Sequence, residues 1–318
     1  MNSRALPYVL AMIAIIAVIP LVTATAQQPR RRDQGTSYAA RCGVGVPRDE
    51  QTGYVPLPRG DVFCPLIADP KATQSFVSFL HEGSEVSPDT SIEIGSVGIG
   101  DSFGIGRWGG ATPADGVQLS LMGAVFAQFD LGTSSFDLLN ADYVIGLSTT
   151  MRYNRFSSRL RIYHQSSHLG DEFLLREGVP LERENLSFES AEAILSFDGG
   201  PARIYGGGEF LFNRHPEDLE RFVAHVGAEL RPSPRILSFG GLGGFRFLAA
   251  GDLKAAEEHD WEPSVSARAG FEYDRAAEPA PLTRRWRILF EFYRGPSPYG
   301  QFFRESIEHL GLGLHFGL

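Results

Sequence analysis

The stretch His309-Leu-Gly-Leu-Gly-Leu-His-Phe-Gly-Leu318 decides the fold. Side chains alternate between the two faces of an extended strand. Leu310, Leu312, Leu314, Phe316 and Leu318 therefore share one face, and Gly311, Gly313, His315 and Gly317 share the other. A continuous hydrocarbon face backed by small and polar groups suits a strand between lipid and lumen. That is the pattern of a transmembrane β-barrel, and this strand reads as its last.

The same alternation recurs upstream. Val117, Leu119, Leu121, Val125, Ala127, Phe129 and Leu131 oppose Gln118, Ser120, Gln128 and Asp130. Phe222, Ala224, Val226, Ala228 and Leu230 oppose Arg221, His225 and Glu229, and Trp286, Ile288, Phe290 and Phe292 oppose Arg287, Glu291 and Tyr293. About twelve such segments, beginning near residues 75, 91, 117, 141, 155, 185, 202, 221, 236, 263, 285 and 308, predict an antiparallel all-β barrel over residues 73–318. Connections 151–155, 198–201 and 231–235 are short and fall where periplasmic turns belong. Connections 167–184, 250–261 and 295–306 are longer and fall where extracellular loops belong, while 106–116 is long on the periplasmic side. A large β-sandwich is the alternative that the alternation alone permits.

The inward faces carry charges of both signs, among them Arg159, Arg161, Arg203, Glu209, Glu229, Arg268, Glu272, Arg287 and Glu291. Charges removed from water must pair or stay hydrated, so a filled or narrow lumen is expected rather than a wide pore.

The N-terminus predicts export. Arg4 precedes an apolar run over residues 6–22, and Ala24-Thr25-Ala26 supplies the small residues a signal peptidase requires. Residues 1–26 read as a signal peptide cleaved after Ala26. The alternative is an uncleaved anchor, for which Arg30, Arg31 and Arg32 speak. No later stretch is long and apolar enough for a transmembrane helix. The net charge of −9 and the lack of a basic tract argue against a nucleic-acid partner. Residues 27–72 show no period and read as a periplasmic extension. Its cysteines, Cys42 and Cys64, should pair in an exported chain, a loop closure worth about 3 kcal/mol. Two free thiols are the alternative.

One segment carries candidate chemistry: Arg155-Phe-Ser-Ser-Arg-Leu-Arg-Ile-Tyr-His-Gln-Ser-Ser-His168. An arginine facing lipid near the barrel midplane costs about 2–4 kcal/mol, so Arg159 and Arg161 must point inward. Parity then puts Phe156, Leu160, Ile162, His164 and Ser166 on the outer surface, with the last two near the extracellular rim. Asn185 opens the following strand at the same rim and is a candidate to hold the imidazole tautomer. Its strand has mixed parity. Ala191, Ala193, Leu195 and Phe197 go with Asn185, Leu186 and Phe188 oppose it, and a bulge is expected to reconcile them.

His164-Gln165-Ser166, followed by Asn185, resembles the outer-membrane phospholipase A family, barrels with Ser, His and Asn on the outer surface. By that resemblance Ser166 is the nucleophile, His164 the general base and Asn185 the orienting group. Ser167 and His168 depart from the family pattern, and the gap to Asn185 is longer than in the family. Across residues 63–318, Phe63-Cys-Pro-Leu-Ile-Ala-Asp-Pro70, Gly100-Asp-Ser-Phe-Gly104 and Tyr163-His-Gln-Ser-Ser-His-Leu-Gly-Asp-Glu172 resemble a bacterial envelope family catalogued as domain of unknown function 1207. That resemblance implies an envelope protein and no particular activity.

The bland readings stand beside these. A rim His and Ser can simply meet lipid headgroups or lipopolysaccharide. His164 and His168 are about 13 Å apart along a strand, too far to share a metal. Asp171 and Glu172, with Glu177, Glu182 and Glu184 in the same loop, are candidate Ca²⁺ ligands or a solvated loop. Expected partners are membrane lipids or lipopolysaccharide and the barrel-assembly machinery. Three functions compete: a serine lipid acyl hydrolase at the outer leaflet, a non-catalytic structural barrel or narrow pore, and a secreted soluble β-protein.

Overall fold

The computed structural model describes residues 53–84, 91–110, 114–175, 185–232, 235–240, 243–274 and 285–317. The signal-peptide reading and Cys42 lie outside these residues, as do Glu177, Glu182 and Glu184.

Twelve long strands build the wall. In chain order they are β2 (Ser75–Ser84), β3 (Ser91–Gly109), β4 (Gly116–Asp130), β5 (Asp137–Tyr153), β6 (Phe156–Leu169) and β7 (Ser187–Gly199). Then come β8 (Ala202–His215), β9 (Phe222–Leu230), β11 (Gly244–Ala256), β12 (Pro263–Asp274), β13 (Arg285–Pro296) and β14 (Ser306–Gly317). The short strands β1 (Tyr54–Pro56) and β10 (Leu237–Ser238) pair with β3 and β11. Each wall strand pairs antiparallel with its neighbours, and β14 pairs with β2, which closes the cylinder. The end where β2 begins and β14 finishes is called lower here, and the opposite end upper.

The two faces differ as a barrel in lipid requires. Leu310, Leu312, Leu314 and Phe316 face outward, 36–56% exposed, while His315 between them is fully buried. Aromatic groups ring the lower end, with Tyr54 against Trp108, Phe156 against Phe197 and a Phe245, Tyr273 and Trp286 cluster. Aromatic belts of this kind mark a membrane interface.

The lumen is filled, as the inward charges imply. Glu192 on β7 receives Arg159 and Arg161 of β6. Glu272 on β12 receives Arg231 at 2.9 Å, Arg285 at 3.1 Å and Arg287 at 2.7 Å. A buried carboxylate is tolerable only with such partners.

Much of the filling comes from the chain before β2, which corrects the expected extension. β1 and β2 occupy successive stretches of one edge of β3, with Tyr54 opposite Trp108 and Phe76 opposite Gly98. Residues 57–74 between them turn into the cylinder rather than remaining outside it. A Cβ on Gly104 would come within 2.6 Å of the Pro58 carbonyl oxygen, so the turn inward needs glycine there. Val62, Cys64, Leu66, Ile67, Ala68 and Asp69 are all at most 1% exposed. The wall satisfies their backbone. Arg152 on β5 donates to the Val62 carbonyl at 2.7 Å, Arg203 on β8 to Cys64 at 2.9 Å and Arg268 on β12 to Ile67 at 2.7 Å. The Ile67 N–H donates to Glu229 on β9 at 2.7 Å. Sequence periodicity could not reveal this segment, because charged side chains from distant strands take the place of a ladder.

The connection after β9 also differs from the expected short turn at 231–235. β9 ends at Leu230 and the next wall strand starts at Gly244, with β10 folded back so that Leu237 pairs with Phe245.

Candidate active site

β6 follows the parity its arginines dictate. Phe156, Leu160 and Ile162 face outward, 55–63% exposed, and Arg159 and Arg161 face inward, at most 7% exposed. His164 and Ser166 continue the outward face and are half-buried there. Two residues of strand separate them by about 7 Å, a distance their side chains can close. Among the described residues no hydrogen bond joins them.

The cross-strand register assigns the neighbours. His164 lies opposite Ile145 on β5 and Glu189 on β7, and Ser166 lies opposite Tyr143 and Ser187. His164 Nδ1 is 3.3 Å from Glu189 Oε1. With Nδ1 donating to the carboxylate, Nε2 remains as a proton acceptor. His168, two residues beyond Ser166, sets its ring edge-on to Tyr143 at 5.7 Å. Ser166 is therefore flanked along its strand by two imidazoles on the same face.

Asn185 is exposed just before β7. It stands four residues from Glu189, about 13 Å of extended chain, beyond the reach of His164. The group positioned against the imidazole is Glu189. Pairing with β6 runs unbroken from Phe156 to Ser166, and the irregularity lies on the other side, where the register with β8 shifts between Ser187 and Glu189. Asn185, Ser187 and Glu189 keep the outward parity, while Leu186 and Phe188 pack inside with Met122, Tyr163, Leu211 and Leu219. The mixed pattern arose because the upper lumen at this level is apolar.

Glu189 carried a legible signal. Once Leu195 and its companions set the parity of β7, a carboxylate on the lipid side calls for a partner. The register that supplies His164 was not legible. Among the described residues a similar pair stands elsewhere on the outer face: His81 Nδ1 lies 2.8 Å from Glu93 Oε1 across β2 and β3. There Gly83 stands where β6 has Ser166.

Asp171 and Glu172 are exposed in the first turn of the short helix α1 (Asp171–Leu174). Among the described residues no group of three His, Cys, Asp or Glu side chains is arranged to hold a metal ion. Cys64 is disulfide-bonded, and the sequence contains one other cysteine, Cys42.

A closed cylinder with an apolar outer wall, a charged lumen and twelve antiparallel strands defines an outer-membrane β-barrel. The chain belongs to the family described as protein of unknown function DUF1207, whose model matches residues 5–318. Its fold is similar to that of outer membrane phospholipase A from Escherichia coli. An active-site mutant of that enzyme aligns with TM-score 0.50 and 11% identity, covering 80% of this chain and 93% of that one. The Salmonella typhi outer membrane phospholipase dimer with bound calcium gives 0.49 and 8%, covering 78% and 94%. The NanC porin gives 0.40 and 10%, covering 77% and 100%. At these identities the likeness is one of fold. No curated protein matches the sequence.

Proposed function

We propose that this barrel is an acyl-ester hydrolase of the outer leaflet, with Ser166 as nucleophile, His164 as general base and Glu189 as the orienting carboxylate. The observation that carries the reading is the 3.3 Å contact of His164 Nδ1 with Glu189, beside a hydroxyl two residues away on the same outward face. Ser166 Oγ attacks the ester carbonyl as His164 Nε2 takes its proton. The proton then passes to the departing alcohol, and water releases the acyl group by the same route. Glu189 stabilises the imidazolium that forms between these steps. In this reading the signal peptide is removed after Ala26 and the assembly machinery inserts the barrel in the outer membrane. Ser166 then lies above Ile162, where the apolar wall gives way to polar groups and lipid esters lie.

The test is acyl release from phospholipid or lipid A vesicles by the refolded chain. Ser166→Ala and His164→Ala should abolish it. Glu189→Gln should lower kcat about 10²–10⁴-fold, the range for a misheld general base. Asn185→Ala should leave the rate unchanged. Equal release by the parent chain and Ser166→Ala ends the proposal.

A second reading has its own support. The His81–Glu93 pair has similar chemistry with glycine in place of serine, so His–Glu pairs also serve as polar fittings on the outer wall. Silence in both acyl-release and planar-bilayer conductance assays would favour a structural barrel.

A further inference from the structure

Asp142 on β5 is fully buried and serves two segments that enter the lumen from opposite directions. From the N-terminal side comes Lys71, whose ammonium is paired with the Asp142 carboxylate. From the upper end comes the β13–β14 connection, which dips inward through a 3₁₀ turn at Gly300–Phe302. The Gly300 N–H lies 3.2 Å from both Asp142 oxygens. The Lys71 ammonium sits 5.0 Å from the ring centre of Tyr299, in that same connection, and 4.7 Å from that of Phe126 on the wall.

The connection has other anchors too, among them Tyr299 Oη 3.3 Å from Ser96 Oγ, Arg304 3.4 Å from Asp218, and Phe303 packed against the cluster of Leu186 and Phe188. The Gln301 N–H donates to Asn140 Oδ1 at 3.1 Å, its side chain donates to the Ser167 carbonyl at 2.8 Å, and Phe302 meets Phe173 of α1 edge-on at 5.9 Å. Ser167 Oγ also donates to Asp142. A Cβ on Gly300 would come within 2.5 Å of Ser167 Oγ and 2.8 Å of Asp142 Oδ1, so the backbone approaches this carboxylate as only glycine can.

We infer that residues 57–74 and the β13–β14 connection form one latch jointed at Asp142, so that insertion of the N-terminal segment sets the order of the upper loop. Lys71 neutralises Asp142. Without it a buried carboxylate would be left with only neutral donors and would draw in water, which competes for the Gly300 N–H. Loosening the Gly300 turn would in turn remove the Tyr299 ring from the ammonium and the bifurcated Gly300 N–H hydrogen bond from its counter-ion. Coupling of this kind is reciprocal by thermodynamic necessity. The latch ties the lower end of the barrel, where the N-terminal segment enters, to its upper mouth. It does not depend on hydrolysis by Ser166.

Hydrogen–deuterium exchange on the full refolded chain in detergent micelles tests it. Lys71→Met should raise amide exchange in residues 297–305 about tenfold, although no residue of that loop is changed. Gly300→Ala should raise exchange in residues 62–71 by a similar factor. Ladder amides of residues 270–273 and 286–288, at the lower end of β12 and β13 around Glu272, report whether each variant has kept its barrel. The milder Asp142→Asn should loosen both segments if either of the other variants fails to fold. The inference is overturned if, in barrels whose lower β12–β13 exchange is unchanged, each variant loosens only the segment that carries it.

Discussion

Replacing Leu160 by arginine tests the orientation of the outer wall. Leu160 is 55% exposed on β6. The half-buried His164–Glu189 pair ends the run of apolar outward groups on that strand. Leu160 is four residues below it, about 13 Å along the strand and about 10 Å in depth at a tilt of about 40°. An apolar band about 25 Å tall places Leu160 close to its centre. Phe156 lies four residues lower again, about 20 Å below the pair and near the lower interface. Arginine on a barrel wall costs about 2–4 kcal/mol at the midplane and about 0–1 kcal/mol near an interface. Leu160→Arg should therefore lose about 2–4 kcal/mol and Phe156→Arg no more than about 1. The assay is equilibrium urea unfolding in phospholipid vesicles, followed by the fluorescence of Trp108, Trp261 and Trp286. With a slope of about 1–3 kcal/mol per molar urea, the Leu160→Arg midpoint should fall by about 0.7–4 M. On a wall facing water, both substitutions would stay within about 0.5 kcal/mol. Equal small costs at the two positions would refute the membrane-spanning reading.

Two further outcomes follow from the lumen. Glu272→Gln leaves Arg231, Arg285 and Arg287 around a neutral acceptor, and the same unfolding assay should show a loss of about 3–5 kcal/mol; a loss under about 1 would show that the three guanidinium groups do not depend on that carboxylate. Deleting residues 57–74 should turn a silent barrel into a conducting one in planar bilayers. Water would replace the carbonyls that Arg152, Arg203 and Arg268 now serve, and an unchanged conductance would show that this segment does not block the lumen.

The wall of this protein was legible residue by residue. Strand parity is local: an arginine that cannot face lipid, as at Arg159 and Arg161, assigns every neighbour to a side. The expected starts near 75, 91, 117, 202, 221, 263 and 285 agree closely with those observed, and the charged inner face announced a filled lumen. His164 and Ser166 were placed on the outer face by the same rule.

What parity cannot convey is which residue of the next strand stands opposite. Register is a property of two paired strands, so the choice between Asn185 and Glu189 beside His164 rests on the closed cylinder. Residues 57–74 were illegible for a related reason. They have no period of their own, and what holds them is a set of arginines and carboxylates contributed by β5, β8, β9 and β12, far apart in sequence. Alternation along one strand shows which groups avoid lipid. Only the assembled barrel shows what those groups hold.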